Sequence, residues 1–195
     1  MIPNIKNFTY EQKRTGFFGV LGNKGNFVIN FTYNKKSIGL ASGHLSCGEE
    51  NEETRIKELK GILNSTCKNK HVDKFSNNNY WFIFGDLNFR VEMGIAQCVR
   101  LIKEGNVGDI LLKDQLLKLM KAGLPVNEAR IGFKPTFKFI KGTNEYNLTK
   151  RTPSYCDRIL YGGKDKLKVK CLSYKTINIY FSDHKPVVGL FEIEV

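Results

Sequence analysis

Apolar residues along the chain fall into short runs whose period changes, and the changes mark the elements. Residues 16–31 are dense in Phe, Val and Ile on either side of Gly22-Asn23-Lys24-Gly25. That is the pattern of two strands joined by a hairpin-like loop, and the loop carries a lysine. Residues 36–46 read as a further strand ending in His44-Leu45-Ser46. From Glu49 to Leu63 the period lengthens, with Ile56, Leu59, Ile62 and Leu63 on one helical stripe and acidic residues crowding the first turn, where the helix dipole favours them. Residues 67–79 are polar and predict a loop. Tyr80-Trp81-Phe82-Ile83-Phe84 is a continuous apolar run of the buried-strand type, closed by Gly85-Asp86-Leu87-Asn88.

Between Ile95 and Ala122 apolar residues recur at helical spacing, interrupted at Gly105-Asn106, which predicts two helices that stop before Gly123 and Pro125. Three more strands are expected at 158–161, 168–176 and 187–195. Strands come first in pairs and then alternate with helices, so the expected class is α/β or α+β around a mixed sheet. No repeat, low-complexity tract or shift in composition divides the 195 residues, which read as one domain.

Composition narrows this picture. At 41% apolar and 26% charged the chain is not disordered. Its charge-free runs, 15–23 and 25–34 among them, fall well short of the roughly 18 apolar residues of a membrane span. Met1-Ile2-Pro3-Asn4-Ile5-Lys6 lacks the segments of a secretory signal, so a cytoplasmic setting is expected. The five cysteines, Cys47, Cys67, Cys98, Cys156 and Cys171, are scattered and include no Cys-x-x-Cys; they read as reduced thiols rather than a disulfide framework or zinc site. The formal charge is +12, and residues 130–185 hold 13 Lys/Arg against 4 Asp/Glu. A basic third of this kind faces something anionic or serves solubility, and charge alone does not separate phosphates on nucleic acid from those on a lipid or sugar.

Polar groups sit at four expected strand ends: His44, Asp86 with Asn88, Asp157, and Asp183 with His184. Strand ends of layered α/β proteins converge on one edge, so these groups can meet in a cleft. Hydrolysis of a phosphate ester needs a positioned water, a carboxylate to orient or deprotonate it, donors on the phosphoryl oxygens and usually a divalent metal, and Asp, Asn, His and Lys supply those parts. Taken singly each is weak: Gly-Asp-x-Asn is more often an Asx-turn, and a lone histidine is more often structural.

Six ordered motifs change that weighting: Gly19-Val20-Leu21-Gly22-Asn23-Lys24-Gly25, Ser42-Gly43-His44-Leu45, Gly85-Asp86-Leu87-Asn88-Phe89-Arg90, Lys134-Pro135-Thr136-Phe137-Lys138, Arg151-Thr152-Pro153-Ser154-Tyr155-Cys156-Asp157-Arg158-Ile159-Leu160 and Ser182-Asp183-His184-Lys185-Pro186. In this order they resemble the inositol polyphosphate 5-phosphatases, a branch of the DNase I-like endonuclease/exonuclease/phosphatase superfamily. The resemblance implies a four-layer α/β sandwich, two sheets face to face with helices outside, and a Mg²⁺-dependent site that removes the 5-phosphate of phosphoinositides or soluble inositol polyphosphates. It implies that Asp86 orients or deprotonates the attacking water, Asn88 binds the scissile phosphate, and His184, held by Asp157, donates to a phosphoryl oxygen, with His44 a further donor. Asp183 would support the metal. Asn23, Lys24, Lys138, Lys150, Arg151 and Lys185 would bind substrate, with Phe137 in the place of a usual tyrosine and Thr149 in that of a common lysine. Arg55 and Arg90 are open between structural and substrate contacts, and Cys156 reads as a packing residue.

The family's upstream asparagine strand and its Gln-Glu element, whose glutamate is the main Mg²⁺ ligand, have no match in residues 1–15. The chain is therefore expected to be an N-terminally truncated, partial 5-phosphatase domain over 1–195, with an apolar sheet face uncovered. Two alternatives stand beside hydrolysis: a catalytically impaired phosphoinositide-binding fragment, and a nuclease of the same superfamily. The expected partners are a phosphoinositide or inositol polyphosphate and, peripherally, an anionic membrane surface.

Overall fold

The computed structural model describes residues 4–14, 24–69, 72–149 and 151–195. At its centre is a six-stranded mixed sheet. Strand β1 (Ile5–Arg14) pairs antiparallel with β2 (Gly25–Tyr33), which pairs antiparallel with β3 (Lys36–His44). After a short helical turn, α1 (Glu52–Leu63) crosses one face, and the small hairpin of β4 (Thr66–Asn69) and β5 (Val72–Lys74) follows. The crossover lets β6 (Tyr80–Asp86) lie parallel to β3. Helices α2 (Ile95–Lys103), α3 (Val107–Leu111) and α4 (Gln115–Lys121) then lead to β7 (Asn127–Glu128). A long irregular stretch returns through β8 (Asp157–Gly162), antiparallel to both β6 and β7, and the chain ends in the hairpin of β9 (Lys170–Thr176) and β10 (Val187–Glu192).

Alternation along the strands sorts the faces. Val28, Ala41, Ile83 and Leu160 lie abreast in register and pack with Leu59 and Ile62 of α1 and Leu116 of α4 in one buried cluster. Each Val, Leu or Ile side chain among them, removed from water, contributes roughly 1.5–3 kcal/mol. Cys98, Leu101 and Ile102 of α2 and Ile110 of α3 form a second cluster with Tyr155. On the opposite face Phe82 and Tyr161 meet Phe191 of β10, with ring centroids 5.2 and 5.7 Å away, so the β9–β10 hairpin covers that end of the sheet.

Several expectations change. The strand before the Asn-Lys-Gly loop is β1 at 5–14; residues 15–23 lie outside the described ones. β1 is an edge strand whose Phe8 and Tyr10 stay exposed, so it carries little apolar signal. The polar 67–79 stretch holds part of the β4–β5 hairpin, and β7 has no counterpart in the pattern. The second predicted helix is two, α3 and α4, because the Asp114 side chain accepts from Leu117 N–H and starts a new helix. The layered α/β expectation is met in part. Among the described residues there is one six-stranded sheet with helices on one face, and the facing layer is the two-stranded β9–β10 hairpin. Among the described residues no helix is long and apolar enough to cross a membrane.

Candidate active site

Strands β3, β6 and β8 end at one edge. Their pairing sets His44 beside Asp86 and Asp86 beside Asp157. The approach is close: Gly85 has φ 127°, and a Cβ there would lie 2.2 Å from the Gly43 carbonyl oxygen, so only glycine lets β6 deliver Asp86 at this point. His184 arrives from the segment before β10, where Phe137 bridges both Ser154 and His184. One ligand atom each from Asp86, Asp157 and His184 all lie within 4.8 Å of one another.

The imidazole is fixed from behind. His184 Nδ1 lies 3.0 and 3.2 Å from the two oxygens of Asp157, so Nδ1 carries the proton and Nε2 faces Asp86 Oδ2 at 3.9 Å. Asp157 is held in turn by Thr136, whose buried hydroxyl donates to Oδ2 at 2.6 Å. Phe137 lies against the ring, with centroids 4.4 Å apart. Burial pulls the His184 pKa down, but the hydrogen bond to Asp157 and the charges of Asp157, Asp86 and Asp183 outweigh it, leaving it above the ordinary 6.5. For Asp86 burial pushes upward. The His44 hydrogen bond and the charges of His184, His44 and Lys24 overcome it and hold the carboxyl below 3.8. The two directions favour a carboxylate on Asp86 and the protonated form of the His184 ring.

On the other flank His44 Nε2 lies 3.3 Å from Asp86 Oδ2 and also touches Lys24 Nζ. One nitrogen cannot donate to the carboxylate and accept from the ammonium at once. With the ring proton on Nδ1, Nε2 accepts from Lys24; with a proton on Nε2, it donates to Asp86 and no longer accepts from Lys24. These residues line a cavity of about 420 Å³ that also takes in Gln12 and Lys13 of β1.

The remaining predicted residues are placed as follows. Asn88 is buried, with φ 56°: its N–H donates to Asp86 Oδ1, its Nδ2 donates to Leu45 O, and its Oδ1 accepts from Arg90 Nη2 at 2.6 Å. It braces the Asp86 loop. Asp183 stands 3.6 Å from Lys138 Nζ and is not among the grouped metal donors. Lys138 borders the Phe137 ring, 5.8 Å from its centroid. Arg151 is half-buried and makes no hydrogen bond or ion pair among the described residues, while Asn23 and Lys150 lie outside them. Lys185 departs from the substrate-binding expectation: it is buried, donates to Asn144 Oδ1 and Ile179 O, and lines a different cavity that includes none of the cleft residues.

Arg55 donates to the carbonyls of Ser46 and Gly48 and to Gln115 Oε1, fully buried, as a structural clamp. Arg90 sits over the Phe137 ring at 5.0 Å. Burial pushes the Cys156 thiol well above its ordinary value, consistent with packing rather than nucleophilic use. Sequence reasoning gave no role to Thr136, Gln12 or Lys13. Thr136 lies inside a quoted motif, yet its hydroxyl meets Asp157 only across 21 residues, and β1 carried no signal placing it at the cleft.

The donor set fits a hard divalent cation to a limited extent. Asp86 is an ionised oxygen donor, whereas Asp157 is engaged by His184 and Thr136.

The family model for endonuclease/exonuclease/phosphatase family 2 matches residues 1–190. The chain is 33% identical over 199 residues to the inositol-1,4,5-trisphosphate 5-phosphatase 1 of Schizosaccharomyces pombe, covering 100% of this chain and 18% of that protein. It is 33% identical over 211 residues to the human phosphatidylinositol 3,4,5-trisphosphate 5-phosphatase 1, covering 98% and 18%. It thus spans about a fifth of the length of these relatives. Among solved structures, the inositol polyphosphate 5-phosphatase domain of SPsynaptojanin, in complex with inositol (1,4)-bisphosphate and a calcium ion, superposes with a TM-score of 0.83 at 31% identity. That match covers 98% of this chain and 57% of that one. Cimex nitrophorin, in a ferrous NO complex, superposes with a TM-score of 0.77 at 25% identity. The fold is therefore shared by proteins with different ligands, and the chemistry must be read from the site.

Proposed function

Since the chain belongs to the endonuclease/exonuclease/phosphatase family and, within it, to the inositol polyphosphate 5-phosphatases, we propose that its cleft hydrolyses the 5-phosphate of an inositol phosphate head group, lipid-borne or soluble. The observation that carries this reading is the line Thr136–Asp157–His184 facing an ionised Asp86. Asp86 orients a water and accepts its proton as the water oxygen bonds to phosphorus and the P–O5 bond breaks. The His184 imidazolium donates to a phosphoryl oxygen that gains charge, and Asp157 keeps its Nε2 aimed. The proton taken by Asp86 passes through solvent to the leaving inositol oxygen, so the products are the 5-hydroxyl and inorganic phosphate and Asp86 is ionised again. Lys24 and Lys138 supply cationic donors around the phosphates, and the His44 ring lies beside them. Mg²⁺, held by Asp86 with substrate oxygens and water, would neutralise phosphate charge and lower the pKa of a bound water.

The test is phosphate release from inositol 1,4,5-trisphosphate and from phosphatidylinositol 4,5-bisphosphate, with and without Mg²⁺. Metal-dependent release that falls by roughly 100-fold or more in Asp86→Ala supports the reading; a folded chain that releases nothing with either substrate overturns it. A second reading is binding without turnover. It is favoured by one observation: Asp86 is the single carboxylate of the grouped donors not already committed to a hydrogen-bonded partner on the His184 side.

A further inference from the structure

A cavity of about 750 Å³, larger than the cleft, lies beside the strip that carries His184. Segments 136–139 and 183–185 run side by side, tied by Lys185 N–H to Thr136 O and Phe139 N–H to Asp183 O. Phe137 and His184 contact each other at the cleft, whereas Phe139 and Lys185 line this second cavity.

Lys185 is only 4% exposed, yet no carboxylate among the described residues pairs with it. Its ammonium donates to Asn144 Oδ1 at 2.7 Å and to the Ile179 carbonyl, and stands 4.7 Å from the ring centroids of Phe139 and Tyr180. Carbonyl dipoles and π faces soften the burial of a charge, but they leave it uncompensated. Two further lysines, Lys103 and Lys134, stand exposed among the lining residues. The one carboxylate there, Glu145, is exposed and pairs with none of the three. Val99 and Ile102 of α2 with Phe139 and Leu148 form the apolar part of the lining.

Such a cavity is the wrong shape of chemistry for a polyphosphate, which would leave the apolar wall in contact with charge, and for a neutral apolar body, which would leave Lys185 without a counter-ion. We propose that it binds an amphipathic organic anion, a single acidic head group on an apolar body, with the head on Lys185 and Lys134 and the body against Val99, Ile102, Phe139 and Leu148. The volume is within the range of small-molecule sites, about 300–1,000 Å³. The proposal does not depend on turnover at the cleft.

Sodium decanoate below its micellar concentration is the probe, read by amide ¹H–¹⁵N shifts of the full chain, with decanol lacking the charge and inorganic phosphate lacking the apolar body. The expected result is saturable shifts at residues 99–103, 134–148 and 176–185 with decanoate, and affinity at least tenfold weaker for decanol and for phosphate. Lys134→Glu, at the exposed rim where folding is not at stake, weakens decanoate at least tenfold, and Lys185→Gln does the same if it folds. Shifts confined to the open sheet face around Phe27 and Phe84, equal affinity for decanol, or unchanged affinity in Lys134→Glu overturns the proposal.

Discussion

At the residue scale the site is governed by two opposed shifts, and both give a pH dependence of known sign. Asp86 must be ionised and is so above a value lower than 3.8; His184 must be protonated and is so below a value higher than 6.5. Phosphate release should therefore be flat between those limits and fall as pH rises through the His184 value. Asp157→Asn removes the partner that raises His184, so the alkaline limb should move to lower pH, which a pH–rate profile reads directly. The same shift ties to stability: what His184 contributes is fully present below about pH 6.5 and is lost as pH rises through its folded value. Thr136→Val tests positioning. Losing its hydrogen bond to the Asp157 carboxylate, a class worth about 1.5–3 kcal/mol, should lower kcat about tenfold, leave KM unchanged and shift the alkaline limb in the same direction as Asp157→Asn. A merely structural role would move neither the limb nor the kcat-to-KM split. Asp86, Asp157 and His184 were legible because each stands at a strand end in a motif. Thr136 and the Phe137 ring against His184 were not, because a contact across a sheet edge leaves no periodic trace in the chain.

At the element scale the arrangement depends on a buried ion network that the sequence did not announce. Arg158 of β8 is fully buried and donates from Nη1 to both oxygens of Asp114, and from Nε and Nη2 to Glu128 of β7. Tyr174 of β9 donates to Glu128 and accepts from Ile159 N–H. Burial pulls the guanidinium pKa down, but the charges of Asp114 and Glu128 carry it well above the ordinary value. One arginine so ties β7, β8 and β9 to the start of α4, whose first turn Asp114 caps. Arg158→Met would leave two buried carboxylates without a counter-charge, and the loss in urea unfolding should be about 3–5 kcal/mol. An exposed pair such as Lys57–Glu53 on α1 should move stability by no more than about 1 kcal/mol. Elements with strong apolar periodicity, α1, β6 and the run from Ile95, were readable in advance. β1, β7 and the division between α3 and α4 were not, since edge pairing and a capping carboxylate decide them rather than a stripe.

At the scale of the whole molecule, charge and apolar exposure act against one another. Register puts Phe27 of β2 and Phe84 of β6 on the sheet face away from the helices, 40% and 38% exposed, and the exposed Tyr10 ring lies 6.1 Å from Phe27. On the terminal hairpin Phe191 turns inward while Val188 and Leu190 stay exposed. Apolar area of this kind favours association, and the +12 charge of each copy resists it. The resistance is long-ranged and screened, since the Debye length falls from roughly 10 Å near 0.1 M salt to about 3 Å at 1 M; the apolar attraction is not screened. Salt should therefore act in opposite directions on two properties of the same chain. Affinity for an inositol phosphate, driven by Lys24, Lys138 and the imidazoles, should weaken as NaCl rises, while the weight-average mass in sedimentation should increase. Phe84→Lys, on the open face and outside the Asp86–Asp157–His184 group, should abolish the rise in mass. A mass that stays monomeric at all salt concentrations, or that falls with salt, would show that the exposed rings of β2 and β6 do not drive contact between copies.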